Sequence, residues 1–146
     1  MVKIMAIKFY NERTDFRLPA KRRVAGWIRR AVEEEGFRLG TIVFIFCGRE
    51  HHLGINRTYL QHDWPTDVIT FDYSVDGNIS GDIFIDPQTV EENARELCVA
   101  PEVEMRRVMV HGVLHLCGGR DKTTAQRRRM RTKEDYYLAR YYGKDV

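Results

Sequence analysis

The sequence predicts an α+β fold, a small mixed four-stranded sheet covered by about four to five helices, with a metal site on a buried helix and the turn that follows it. Three observations predict this. Four short runs rich in Ile, Val and Phe read as strands, longer stretches with apolar residues at helical spacing read as helices, and the run from Val108 onward is apolar on nearly every side except at two histidines.

The first strand is expected over 2–7. A helix follows over 19–35, where Val24, Trp27, Ile28, Ala31 and Val32 form one stripe and Gly36 offers a stop. The β-branched and aromatic run over 41–47 gives a second strand. Strands over 68–71 and 82–85 flank Asp76-Gly77-Asn78, which reads as the turn of a hairpin. Asp86 as N-cap and Pro87 in the first turn open a second helix, with Val90, Ala94, Leu97 and Cys98 on one face. A third helix is expected over 101–117, ended by Gly118-Gly119. The last begins at Thr123, which forms a capping-box pattern with Gln126, and runs through Met130, Tyr137, Leu138 and Tyr141.

Repeats, low-complexity tracts and linkers are absent, so residues 1–146 are expected to form one domain, and 43% hydrophobic residues suffice for an ordinary core. The first seven residues are too short and interrupted for a secretory signal, and no apolar run has the length of a bilayer span. A cytoplasmic protein without a membrane partner is expected. Cys47, Cys98 and Cys117 are odd in number and irregularly spaced, which argues against a disulfide framework and for small buried hydrophobes.

The formal charge of +3 conceals an uneven distribution. Arg120, Lys122, Arg127, Arg128, Arg129, Arg131 and Lys133 crowd one stretch, and Lys21, Arg22, Arg23, Arg29 and Arg30 form a second group. Such stretches are often no more than solvated helix surface, and they also suit a polyanion such as RNA.

In the third helix His111 and His115 stand four residues apart, so both rings project from one face at a separation that one metal ion can bridge. Gly118 and Gly119 then let the chain reverse, and Asp121 arrives with a carboxylate that can close on the same ion. Two nitrogens and one oxygen leave a fourth tetrahedral position open, as in catalytic rather than structural zinc sites, so one Zn2+ per chain is expected. Two histidines buried in an apolar helix without a shared purpose would be costly. His51 and His52, adjacent, and His62, in a loop beside Asp63, read as surface residues. A zinc protease of the His-Glu-x-x-His type needs a glutamate at position 112, where this chain has Gly112. The missing side chain is expected to leave room beside the metal for a larger ligand such as a phosphodiester.

His111-Gly112-Val113-Leu114-His115-Leu116-Cys117-Gly118, followed by Asp121, resembles the defining motif of the YbeY family of endoribonucleases, and Pro65-Thr66-Asp67-Val68-Ile69-Thr70-Phe71 resembles its other recognisable segment. The likeness extends over about 53–138. It implies a zinc-dependent, single-strand-specific ribonuclease acting in ribosomal RNA maturation and ribosome quality control, with a ribosomal RNA precursor and small-subunit ribosomal proteins as partners. Three departures stand out. Asp121 replaces the usual third histidine, with Gly119-Arg120 in place of Tyr-Asp, and its carboxylate should make the ion's bound water less acidic than three imidazoles would. Leu60 follows Tyr59 where the family commonly has an arginine important for activity, and Arg57 could supply a guanidinium from a neighbouring position if the segment is helical. Thr70 replaces a serine and keeps the hydroxyl.

On this reading the metal is held by His111, His115 and Asp121, Arg57 is the catalytic candidate, and Arg120, Lys122, Arg127, Arg128 and Arg131 bind RNA. Asp67, Asp72 and Asp82 are all candidates for a general base. Two alternatives remain: a metal-dependent hydrolase of another substrate, and a zinc-stabilised ribosome- or RNA-binding protein without turnover.

Overall fold

The computed structural model describes residues 6–60 and 67–143, with the side chains of Tyr59 and Leu60 left out of the description. Nine elements follow one another: β1 (Ala6–Glu12), α1 (Lys21–Glu34), β2 (Arg38–Cys47), α2 (Arg49–Leu60), β3 (Val68–Asp72), β4 (Asn78–Ile85), α3 (Pro87–Leu97), α4 (Pro101–Leu116) and α5 (Thr124–Tyr141). The α+β class with a mixed four-stranded sheet and five helices is as the sequence predicts.

The strand order is β1-β2-β4-β3. β1 and β4 run parallel to β2 on either side of it, and β3 runs antiparallel to β4 as the second arm of the hairpin. Two helical connections follow from this, because parallel neighbours cannot be joined by a tight turn. β2 is central and carries Ile42, Phe44 and Phe46 into the core, while β4 alternates buried Ile79, Ile83 and Ile85 with half-exposed neighbours.

β1 lies further along the chain than expected, and residues 2–5 fall outside the described residues. Its polar members Lys8, Tyr10, Asn11 and Glu12 concealed it: an edge strand needs only one apolar face, here Phe9 stacked on Phe44 with ring centroids 5.6 Å apart. α2 was not foreseen as an element, because Arg49-Glu50-His51-His52 has little apolar pattern.

α4 is the hub, packing against β3, β4, α1, α3 and α5. Met105, Val108, Met109, Val110, Val113 and Leu114 are buried around almost its whole circumference, which explains why its sequence is apolar on nearly all sides. Burial of each such side chain contributes about 1.5–3 kcal/mol. Trp27 of α1 donates its indole N–H to the Tyr137 carbonyl at 2.7 Å, joining α1 to α5 over the core. Among the described residues no helix is long and apolar enough to cross a membrane.

Candidate metal centre

α4 ends in a Schellman turn. Gly119 donates its N–H to the Leu114 carbonyl at 2.8 Å and Gly118 donates to the His115 carbonyl at 3.0 Å, with Gly118 at φ 95°, where an L side chain would be strained. The reversal turns the Gly119 carbonyl back onto the helix, where it accepts from His115 Nδ1 at 2.9 Å, and sends Asp121 to the face that carries both histidines. Thr123 then starts α5 with the expected capping box.

His115 Nε2 lies 3.0 Å from His111 Nε2 and 3.2 Å from Asp121 Oδ2, and His111 Nε2 lies 3.6 Å from that oxygen. Ligands about 2.0–2.1 Å from a tetrahedral ion are separated by about 3.3 Å, so the three atoms outline one face of such a coordination shell. Their protonation agrees. His115 Nδ1 faces a carbonyl and His111 Nδ1 faces the Glu134 carboxylate at 2.7 Å, so in each neutral ring Nδ1 carries the proton and Nε2 is bare. Two nitrogen lone pairs and a carboxylate oxygen then point at one spot with no hydrogen between them. A cation placed there would satisfy all three.

Electrostatics favour that cation. Burial works against a charge on His111, but the Glu134 hydrogen bond and charge, followed by Asp121 and Asp67, outweigh it and hold the imidazole pKa above its ordinary value. Glu134 itself is buried in α5 and accepts from Arg107 at 3.2 Å, while the same guanidinium reaches Asp135 at 3.0 Å and Glu104 at 3.4 Å. Burial, with Asp67 and Glu134 adding to it against Arg107 and Arg131, raises the Glu104 pKa.

A cleft of about 320 Å³ opens beside His111 and Asp121, lined also by Asp67, Glu104, Arg127 and Arg131. Arg127 is tied to the incoming loop through the Lys122 carbonyl at 2.9 Å, and Arg131 lies 3.9 Å from Asp135. Lys122 and Arg128 are exposed outside this cleft, and Arg120 points to a neighbouring pocket. Arg57 is exposed in the last turn of α2, so the segment is helical as that suggestion required, but Arg57 does not line the cleft. The side chain of Leu60, with His62 and Asp63, lies outside the described residues. Of the three candidate bases, Asp67 alone lines the cleft; Asp72 accepts from the Ser74 N–H in a turn and Asp82 accepts from Tyr73.

Three expectations are corrected. Gly112 faces the sheet rather than the candidate metal site: a Cβ there would meet Ile83 Cγ2 at 3.0 Å and Thr70 Cγ2 at 3.4 Å, so the glycine permits close approach of α4 to β3 and β4 and gives no room to a ligand. His52 is not a surface residue but 1% exposed, donating from Nε2 to the Phe84 carbonyl at 3.0 Å. Cys98 is exposed, whereas Cys47 is buried and Cys117 half-buried.

Sequence reasoning missed Glu134, Glu104 and Arg107 as members of the centre. A signal for Glu134 existed: it falls on the stripe of α5 otherwise occupied by Met130, Tyr137, Leu138 and Tyr141, where a carboxylate needs a partner.

The family model for Endoribonuclease YbeY matches residues 7–142. The protein of Parabacteroides distasonis named Endoribonuclease YbeY is 46% identical over 137 residues, 92% of this chain and 95% of its own length. That of Bacteroides thetaiotaomicron, with the same name, is 42% identical over 92% of this chain and 98% of its own. The solution structure of TM1509 from Thermotoga maritima matches with a TM-score of 0.65 at 26% identity, covering 94% of this chain and 90% of that one.

Proposed function

This chain belongs to the YbeY family of endoribonucleases, and from that premise we propose that it is a metal-dependent endoribonuclease of single-stranded RNA, with a ribosomal RNA precursor as substrate, acting in ribosomal RNA maturation and ribosome quality control in the cytoplasm. The observation that carries the metal part is the convergence of His111 Nε2, His115 Nε2 and Asp121 Oδ2, three lone pairs aimed at one place. Two nitrogens and one oxygen suit zinc, one ion per chain, when availability permits. Bound there, zinc supplies Lewis-acid polarisation of a phosphoryl oxygen.

The chain's own residues do the rest. Glu134 and the Gly119 carbonyl fix the ring orientation and tautomer of the two histidines. Arg127 and Arg131, on the cleft, hold the phosphodiester backbone, with Arg120, Lys122 and Arg128 extending the cationic surface around it. Asp67, which lines the same cleft, is the carboxylate that takes a proton from the attacking hydroxyl or water on this reading. Small-subunit ribosomal proteins are the partners this role entails.

A second reading rests on the position of Arg57. The arginine put forward for catalysis stands off the cleft, which favours a zinc-stabilised RNA- or ribosome-binding protein without turnover. The deciding experiment is cleavage of a single-stranded ribosomal RNA fragment by the metal-loaded protein beside His115→Ala prepared identically. Cleavage by the native chain that vanishes in the variant supports the nuclease. Equal cleavage in both, or none in either under several metals, removes it, and in the second case tight RNA binding would establish the alternative.

A further inference from the structure

A second pocket lies on the other side of the turn that carries the metal centre. It encloses about 250 Å³, and Gly118, Gly119 and Arg120 form one wall. Gly119 anchors His115 with its carbonyl, and Asp121 is the next residue after Arg120, so pocket and metal centre share a stretch of backbone; successive Cα atoms are about 3.8 Å apart. A polymer whose phosphate sits at the metal can therefore put its adjoining unit in this pocket.

The pocket's chemistry is specific. Its floor is apolar, built from Leu114, Cys117 and Met130. Gly119 is required for that floor: a Cβ would meet Met130 Cε at 2.9 Å and the Leu114 carbonyl at 2.9 Å. The wall opposite is the α5 face bearing Gln126, Arg129 and Lys133, which are three and four residues apart and so share a side of the helix. Glu35 also lines the pocket, but its carboxylate is taken up by Lys133 at 2.5 Å, which it neutralises, and by the Tyr137 hydroxyl at 2.5 Å. Arg120 and Arg129, both exposed, make no ion pair among the described residues, and they are the donors left for a ligand. Gln126 spends its carbonyl oxygen on the N–H groups of Lys122 and Thr123, which leaves its amide nitrogen as a further donor. An apolar floor rimmed by donors fits a flat heterocycle with carbonyl and ring-nitrogen acceptors on its edge. The volume lies just below the roughly 300 Å³ at which drug-sized ligand sites begin, so it admits one base and not several.

We infer that this pocket seats one unpaired nucleobase of the RNA, that of a nucleotide flanking the scissile phosphodiester, with its acceptor edge read by Arg129 and Arg120. The inference deepens the endoribonuclease reading and rests on RNA being the substrate. It makes the α5 face a determinant of where a strand is cut, distinct from Arg127 and Arg131, which face the metal cleft.

The test is a scan of base removal. Binding of a short 2′-O-methyl oligoribonucleotide to the full-length metal-loaded protein is measured by fluorescence anisotropy, with a single abasic unit moved along the strand, for the native chain, for Arg120→Ala/Arg129→Ala and, as a control, for Arg95→Ala, an exposed arginine of α3 that pairs with Glu91 and lines neither pocket. The native chain should lose about tenfold in affinity at one position, the size of a charged hydrogen bond, and Arg95→Ala should behave alike. In the double variant the loss at that position should shrink to the level of the others. A native scan without a preferred position, or the same position-dependent loss in the double variant, overturns the pocket. Cleavage of the matching unmodified strand, assayed in parallel, judges the nuclease reading separately: binding with the positional signature but without cleavage rejects turnover and keeps the pocket, and cleavage without the signature does the reverse.

Discussion

Glu134 Oε2 sits 2.7 Å from Nδ1 of His111, on the side of the ring away from Asp121, and this carboxylate decides which nitrogen of the imidazole is free. The pair links α5 to α4 at the candidate metal centre, and Arg107 holds the other oxygen of the same carboxylate.

Replacing Glu134 by Gln keeps the shape and removes the charge. Metal affinity, measured by competition with a chromophoric chelator, should fall about 10–100-fold, the usual effect of losing such an outer partner. Unchanged affinity in a folded Glu134→Gln protein would show that His111 needs no such orientation.

Metal should also stabilise the fold. At free zinc about one hundred times Kd the native chain should gain about 2.7 kcal/mol in chemical unfolding, and a chelator should reverse the gain. His115→Ala and Asp121→Ala should show almost none of it. A gain of equal size in either variant would place the bound ion elsewhere.

Gly112→Glu restores the sequence pattern of a zinc protease and should yield no protease. The new side chain must enter the interface with Ile83 and Thr70, where both the volume and the charge are misplaced, at a cost of about 3 kcal/mol or more. A soluble, native-like Gly112→Glu chain with peptidase activity would contradict the position assigned to this residue.

His52 gives a pH dependence with a definite sign. Burial lowers its pKa, against the smaller opposing pull of its Phe84 hydrogen bond and of Asp86 and Asp67. As pH falls below the ordinary imidazole value the unfolded chain binds a proton that the folded one refuses, so this residue's contribution to stability is complete at neutral pH and is lost on acidification. The urea midpoint of the native chain should therefore drop more between pH 7.5 and 5 than that of His52→Asn. Parallel profiles would refute the assignment.

Much of this was legible in the sequence, for identifiable reasons. Val24, Trp27, Ile28, Ala31 and Val32 repeat at helical spacing, Asp86-Pro87 and Thr123-Gln126 are local start signals, and each element stands close to where these marks put it. The trio of His111, His115 and Asp121 was legible because it is set by helix periodicity and one glycine turn. What sequence could not supply was facing. Gly112 and His52 were assigned by the character of their neighbours in sequence, and both assignments failed because the packing partners, Ile83 on β4 and the Phe84 carbonyl, come from the other side of the core. Glu134 was missed for the same reason: its partner lies 23 residues earlier on another helix.

The local character of the metal centre bears on the order of folding. His111, His115 and Asp121 are separated by four and six residues, and Glu134 joins them across a single helix–turn–helix, so the loops to be closed are short beside those of the parallel strand pairs. The parallel pairings of β1 with β2 and β2 with β4 each enclose at least one whole helix, and their closure entropy must be met before any contact rewards it. An ion captured by the α4–α5 hairpin would thus act on a part of the chain able to form ahead of the sheet, hastening refolding more than it slows unfolding.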